Sequence, residues 1–294
     1  MTPDFFDINH RRLDRLFHRD KLKGTIHLDS VNPTNPSCHF IENIDGAIHA
    51  IPTYNLDNLD IGLYKNHLNN NKISAILPTF TNQNNNDSLI YYERPDLVEV
   101  NVSADIESQW TALHYAKRRS IKKMLRILRL EVYDTKINYN DLFIKSYLKI
   151  QQSRNSKIIG YFDKESLEDI LELKNTRLFF AYEENKPNSF LFHIIFIVDK
   201  VVFFLFSSPT DDESRSYSAA LHWFTMRWII NQKCYKTYSL GGGITKGDGV
   251  ENFKLQLSGE PRKRYYGILP KVKYREGEFF PSSHNFLASN ILQI

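Results

Sequence analysis

Apolar residues recur at helical spacing over residues 103–128, where Trp110, Leu113, Ile121, Met124, Leu125 and Leu128 fall near one face and Arg119, Lys122, Lys123, Arg126 and Arg129 near the other. The pattern predicts one long helix, with Ser103 or Asp105 as its N-cap. A strand at residues 130–133 and helices over 139–152 and 167–173 follow. From residue 176 the spacing gives way to dense apolar runs, which predict strands at 176–183, 190–198 and 201–207, the last two joined by a tight turn at Asp199 and Lys200. Residues 217–231 carry Leu221, Phe224, Trp228 and Ile229 at helical spacing and are apolar nearly all round, the mark of a buried helix. Its His222, like His193 in the strand at 190–198, reads as a core residue. A strand at 236–240, a short helix at 250–257 and a strand at 264–269 complete the series. Before residue 100 the signal is a short charged helix at 4–23, then short strands among turn-rich loops, with candidates at 47–51 and 73–78 and asparagine-rich tips at 69–71 and 84–86. This order suits an α/β fold, a mixed sheet with helices on both faces.

A length of 294 residues allows one large domain or two of about 150 each. The most apolar stretch, residues 190–207, is broken by Asp199 and Lys200 and so reads as a hairpin, not a membrane span. No secretory leader is evident, and Cys38 and Cys234 form neither a disulfide framework nor a metal-ligand spacing. A cytoplasmic protein with both thiols packed inside is expected, with no metal and no transmembrane segment. The net charge of +4 is mild, but residues 115–129 hold Lys117, Arg118, Arg119, Lys122, Lys123, Arg126 and Arg129 without one acid, and residues 254–275 are also basic. Such clusters point to an anionic ligand (phosphate, nucleotide, polyanion or RNA, with no DNA expected) or to a solvated helix face. No zinc spacing, Gly-x-Ser-x-Gly elbow or Walker loop is present.

The densest chemistry lies in Tyr238-Ser239-Leu240-Gly241-Gly242-Gly243, followed by Asp248-Gly249 and Phe253-Lys254. Consecutive glycines let backbone approach a ligand or take a positive φ. Gly241, Gly242 and Gly243 are candidates to line an acceptor cleft with N–H groups facing an anion, or they form a bend where a strand splays. Lys254 is the candidate cation, if it is not simply a surface lysine. Asp248 is a candidate to accept a proton or hydrogen bond from the acceptor, or it forms a turn with Gly249. Tyr217, Tyr238, Tyr265 and Tyr266 offer proton donors or sugar platforms.

These residues resemble the GNAT acyltransferase superfamily, and more closely its FemABX-like branch and relatives that acetylate cell-surface sugars. Arg118-x-x-Ile121-Lys122-Lys123 ahead of a strand looks like the family's basic helix, and the glycine run with Asp248-Gly249 and Phe253-Lys254 is similar to its "LGGG…DG…FK" signature. The likeness covers roughly residues 98–275. It implies two GNAT-like halves, a degenerate one at 1–100 and a C-terminal one at 101–294, and transfer of an acyl group to an amine or hydroxyl. It further implies Lys254 at a substrate phosphate or the oxyanion, Phe253 at the substrate, and Arg119 and Lys122 at an acceptor diphosphate or tRNA phosphates. Ser207, Ser208, Arg215 and Tyr217 occupy the place of the phosphate loop for an acyl-CoA such as acetyl-CoA. That place has no glycine and carries Asp211, Asp212 and Glu213, which would repel a pyrophosphate, leaving Arg215 and the following helix N-terminus as its anion-friendly features.

Three functions follow. The first is acetyl transfer from acetyl-CoA to an anionic sugar-nucleotide or lipid-linked precursor for cell-surface polysaccharide, which the compact length favours. The second is aminoacyl transfer from aminoacyl-tRNA to a cell-envelope precursor, which the basic helix and the altered loop favour. The third is a non-catalytic RNA- or polyanion-binding protein on the same scaffold.

Overall fold

A computed structural model describes residues 22–27, 37–42, 48–52, 74–79, 90–103, 105–134, 139–153, 164–186, 188–198, 200–242 and 247–268. The chain divides into two compact units, Met1–Asp96 with Arg262–Ile294, and Leu97–Pro261. In the first, β1 (Leu22–His27), β2 (Ser37–Glu42) and β3 (Ile48–Pro52) pair antiparallel in succession. β4 (Ser74–Thr79) joins β3 in parallel and the end of β11 (Glu260–Ile268) antiparallel. The strand candidates at 47–51 and 73–78 are displaced by one residue from β3 and β4. The predicted helix at 4–23 lies outside the described residues up to 21, and residues 22 and 23 open β1. Both asparagine-rich tips also lie outside them.

The second unit opens in β5 (Ile90–Asn101) and continues through α1 (Ile106–Ala112), α2 (Tyr115–Met124), β6 (Leu128–Asp134), α3 (Asn140–Ser153) and α4 (Lys164–Glu172). Then come β7 (Thr176–Glu183), β8 (Phe190–Val198), β9 (Val201–Pro209), a 3-10 turn (Ser214–Tyr217), α5 (Ser218–Gln232), β10 (Thr237–Gly242) and α6 (Gly249–Leu255). Its strands lie in the order β5-β10-β9-β8-β7-β6, and β9 with β10 is the parallel pair, joined by the α5 crossover. β7 is buried on both faces. Phe179 packs edge-on against Phe224 and Trp228 of α5, while Phe180 meets Tyr139, Phe190 and Phe192 on the other side. There α3 lays Phe143 on Phe192 and Tyr147 on Phe206. Each such fully buried aromatic contributes about 1.5–3 kcal/mol of burial free energy. This is the mixed α/β fold expected from the order of elements.

One predicted element divides. Instead of a single helix over 103–128 there are two, with Leu113 leaving helical geometry at φ −65°, ψ 143°. Asp105 caps α1 by accepting from Ser108 N at 2.8 Å. His114 caps α2, its Nδ1 accepting from Ala116 N at 3.4 Å, while its own N–H donates to Gln256 O beyond α6 at 3.1 Å. Buried Gln109 accepts from Ser103 N and donates to Ser258 Oγ, both at 2.8 Å. Tertiary hydrogen bonds thus override an uninterrupted local pattern, and histidine is not among the residues that usually signal an N-cap. The thiol of Cys234, expected inside, is exposed.

Candidate functional site

The glycine run ends β10 and gives that strand two irregularities. Ser239 faces Glu99 of β5 and Gly241 faces Val98, so Leu240 is an extra residue, a β-bulge. Gly241 has φ +71°, a value that a side chain would make costly. On the other side β10 pairs with β9 only from Thr237↔Val201 to Ser239↔Phe203, whereas β9 runs on along β8 to Pro209. The parallel strands therefore part after Ser239 and Phe203, leaving the β9 edge at residues 204–208 outside that ladder. Gly243 lies outside the described residues.

α6 is set against this fork by a reciprocal cap. Asp248 Oδ1 accepts from Glu251 N at 2.8 Å, and Glu251 Oε2 accepts from Gly247 N at 2.6 Å. The Asp-x-x-Glu spacing that signals this cap is legible in the sequence and gives Asp248 a positioning contact. At the far end Gly259 lets α6 pass close to β5, since a Cβ there would lie 2.2 Å from Val98 Cγ1. So held, Lys254 is buried at 4% exposure and its Nζ donates to Gly242 O at 2.7 Å. The predicted lysine and glycines are thus in direct contact. Phe253, one residue earlier, lies under Lys117 of α2, whose Nζ is 4.1 Å from the ring centroid. Burial lowers the pKa of Lys117. Arg119 and Lys122 are exposed on α2, and Lys122 Nζ lies 5.7 Å from the Trp110 ring centroid.

Near Lys254 is a cluster of which only Tyr238 was a candidate from the sequence. His222 of α5 shares a 2.9 Å hydrogen bond, through Nδ1, with the hydroxyl of Tyr238 on β10. Its ring is 4.3 Å from that of His193 on β8, 4.8 Å from Phe204 on β9 and 5.8 Å from Phe253. His193 has no exposed surface, and neither of its ring nitrogens has a hydrogen-bond partner. Burial pushes His193 down to about 3. Burial, then His193, Lys254 and Lys117, hold His222 well below the usual imidazole range. Burial raises the Tyr238 phenol. All three groups are therefore neutral at pH 7.

The four residues at the phosphate-loop position are not brought together around a vacant anion site. Ser208 is buried on the α3 side, 2.7 Å from Ser146 Oγ. Tyr217 is buried and donates to Glu183 Oε1 at 2.9 Å, a carboxylate also bound by Lys186. Arg215 is exposed and pairs with Asp212 at 3.3 Å. Ser207 is exposed. Asp211 Oδ1 accepts from Ser214 N at 2.7 Å and from Ser189 Oγ at 3.2 Å. Partial burial pushes the Asp211 carboxyl up, but the hydrogen bonds from Ser214 and Ser189 outweigh it and hold the carboxyl below the ordinary aspartate value. Among the described residues no group of three or more His, Cys, Asp or Glu side chains could hold a metal ion, and no helix is long and apolar enough to cross a membrane. The side chains of Tyr265 and Tyr266 lie outside the described residues.

No protein-family model matches the chain, and no curated protein sequence is significantly similar to it. Solved structures are similar in fold. The C-terminal domain of an Agrobacterium fabrum protein assigned as a lysylphosphatidylglycerol synthetase superposes with a TM-score of 0.64 at 13% identity, covering 89% of this chain and 92% of that one. L-PGS from Bacillus licheniformis gives 0.60 at 11% identity over 96% of each chain. FemX gives 0.54 at 10% identity, over 78% of this chain and 83% of its own. At these identities the likeness is one of fold. It agrees with the GNAT-like and FemABX-like side of the resemblance and adds nothing to the sugar-acetyltransferase side.

Proposed function

We propose that the Leu97–Pro261 unit is a transferase that moves an aminoacyl group from the ester of a charged tRNA to an amine or hydroxyl of a cell-envelope component, acting in the cytoplasm. The names of its structural neighbours supply the class: a lysylphosphatidylglycerol synthetase, L-PGS and FemX. The observation that carries the choice of donor is the β9–α5 turn, where Asp211 already accepts from the Ser214 amide and Asp212 from Arg215. A diphosphate there would have to compete with Asp212 for Arg215 and with Glu213 for Lys186. A helix N-terminus returns only about 0.3–1 kcal/mol. A donor held through tRNA phosphates needs no diphosphate site, and α2 presents Arg119 and Lys122 to solvent.

In this reading the acceptor attacks the ester carbonyl, and the glycine strand with Lys254 stabilises the oxyanion. Gly242 and Phe253 border the acceptor, and Asp248 positions α6. The test is to incubate the purified chain with mixed aminoacyl-tRNAs and envelope lipid or precursor extract, following loss of the tRNA ester. Acceptor-dependent loss supports the reading, and loss no faster than without protein overturns it. Lys254→Ala then separates an enzyme from a polyanion-binding protein, because only the enzyme loses its signal.

A second reading keeps acetyl-CoA as donor and a nucleotide- or lipid-linked sugar as acceptor. It is favoured by the β9 edge at 204–208, which includes Ser207 and Ser208 and along which an amide-bearing acyl-CoA arm could add as a strand does. Micromolar calorimetric binding of acetyl-CoA, abolished by Arg215→Ala, would favour it over the first.

A further inference from the structure

His222 stands at the point where the sheet forks. It comes from α5, its ring contacts Phe204, the first residue of β9 beyond the parallel ladder, and its hydrogen-bond partner Tyr238 is in that ladder on β10. The 2.9 Å bond joins His222 Nδ1 to the Tyr238 hydroxyl, and in the Nδ1–H tautomer the phenol oxygen accepts. The neutral imidazole then carries its lone pair on Nε2, which none of the described residues engages. His222 keeps 3% of its surface exposed, whereas His193, tilted at 49° against it, has none and both its nitrogens are unpartnered.

Resting on the transferase reading, we propose that His222 is the catalytic proton acceptor for the attacking amine or hydroxyl, with Tyr238 and His193 as positioning residues. The acceptor's nitrogen or oxygen forms a bond to the donor carbonyl carbon, the carbonyl π pair moves to oxygen, and the acceptor's proton passes to Nε2. Collapse of the adduct breaks the carbon–oxygen bond of the ester, the leaving oxygen departs with the electron pair, and it takes the proton from Nε2. The weak basicity that burial, Lys254 and Lys117 impose is compatible with this step, because an amine or hydroxyl becomes strongly acidic once bonded to the carbonyl carbon. Tyr238 holds the ring through Nδ1. His193 supplies a neutral, non-competing wall, since a cation there would block protonation of its neighbour.

The experiment pairs two readouts. Single-turnover loss of aminoacyl-tRNA ester with envelope extract is measured for wild type, His222→Asn, His222→Gln and Tyr238→Phe, each checked for a cooperative thermal transition. Nitrogen-15 NMR of wild type reads the His222 tautomer. Asparagine reproduces the donor to Tyr238 but has no Nε2 lone pair. A base role predicts at least a hundredfold loss in a folded His222→Asn protein with unchanged tRNA affinity, and a bare Nε2 in the spectrum. Tyr238→Phe should lose about tenfold and shift the pH profile, which a packing role would not. Wild-type turnover in folded His222→Asn, or in His222→Gln should the asparagine variant unfold, overturns the His222 proposal alone. So does a spectrum in which Nδ1 is bare. A wild-type protein that consumes no ester overturns the transferase reading, and this role with it.

Discussion

The second unit contains two strand-to-helix connections of opposite character. Between β9 and α5 the backbone turns through Asp211 and Ser214, Arg215 pairs with Asp212, and Lys186 joins Glu183 to Glu213. Its charges neutralise one another and its amide donor at Ser214 is occupied. Between β10 and α6 the glycine strand bulges, Asp248 and Glu251 cap the helix, and buried Lys254 reaches back to a strand carbonyl. One connection has its Ser214 amide and its cations already paired, and the other brings a cation to a fork in the sheet. The same fold can thus place its chemistry at either crossover, and side-chain hydrogen bonding decides which remains available.

The comparison can be broken most sharply at Lys254. Replacement by Ala should lower transfer by about 10²-fold or more, with tRNA binding retained in a filter assay; retained turnover would remove the β10–α6 connection from the chemistry. Next, Tyr217→Phe takes a hydroxyl donor from buried Glu183 and should cost about 1.5–3 kcal/mol in urea unfolding, with little change in turnover per folded molecule. Asp248→Ala removes the cap of α6 and should cost about 1 kcal/mol, lowering turnover less than Lys254→Ala; a loss equal to the lysine's would give the carboxylate a chemical role. The smallest effect concerns pH. Because the folded-state pKa of Asp211 is depressed, its contribution is present above the unfolded aspartate value and is lost as pH falls through the folded one. Asp211→Asn should therefore flatten the acid limb of the stability profile below about pH 4 and leave binding of anions unchanged.

Helices and strands of the second unit were legible because their apolar spacing was regular. β7, β8 and α5 begin and end within a residue of the predicted bounds. The division at His114 was not, because it depends on hydrogen bonds to residues 256 and 258, more than a hundred positions away. Gly241, Gly242 and Lys254 could be nominated from sequence because glycine and lysine in that order carry a steric and electrostatic meaning of their own. Of the His193–His222–Tyr238 cluster only Tyr238 was a candidate, since the members come from β8, α5 and β10 and each histidine alone reads as packing. The cap formed by Asp248 and Glu251 was available in the spacing but was outranked by the pull of Asp248 toward a chemical role.

The tie between His114 and Gln256, together with that between Gln109 and Ser258, has a mechanical meaning. It joins the start of the cationic helix to the turn that follows the short helix carrying Lys254, so the backbone on both sides of that lysine's helix is anchored.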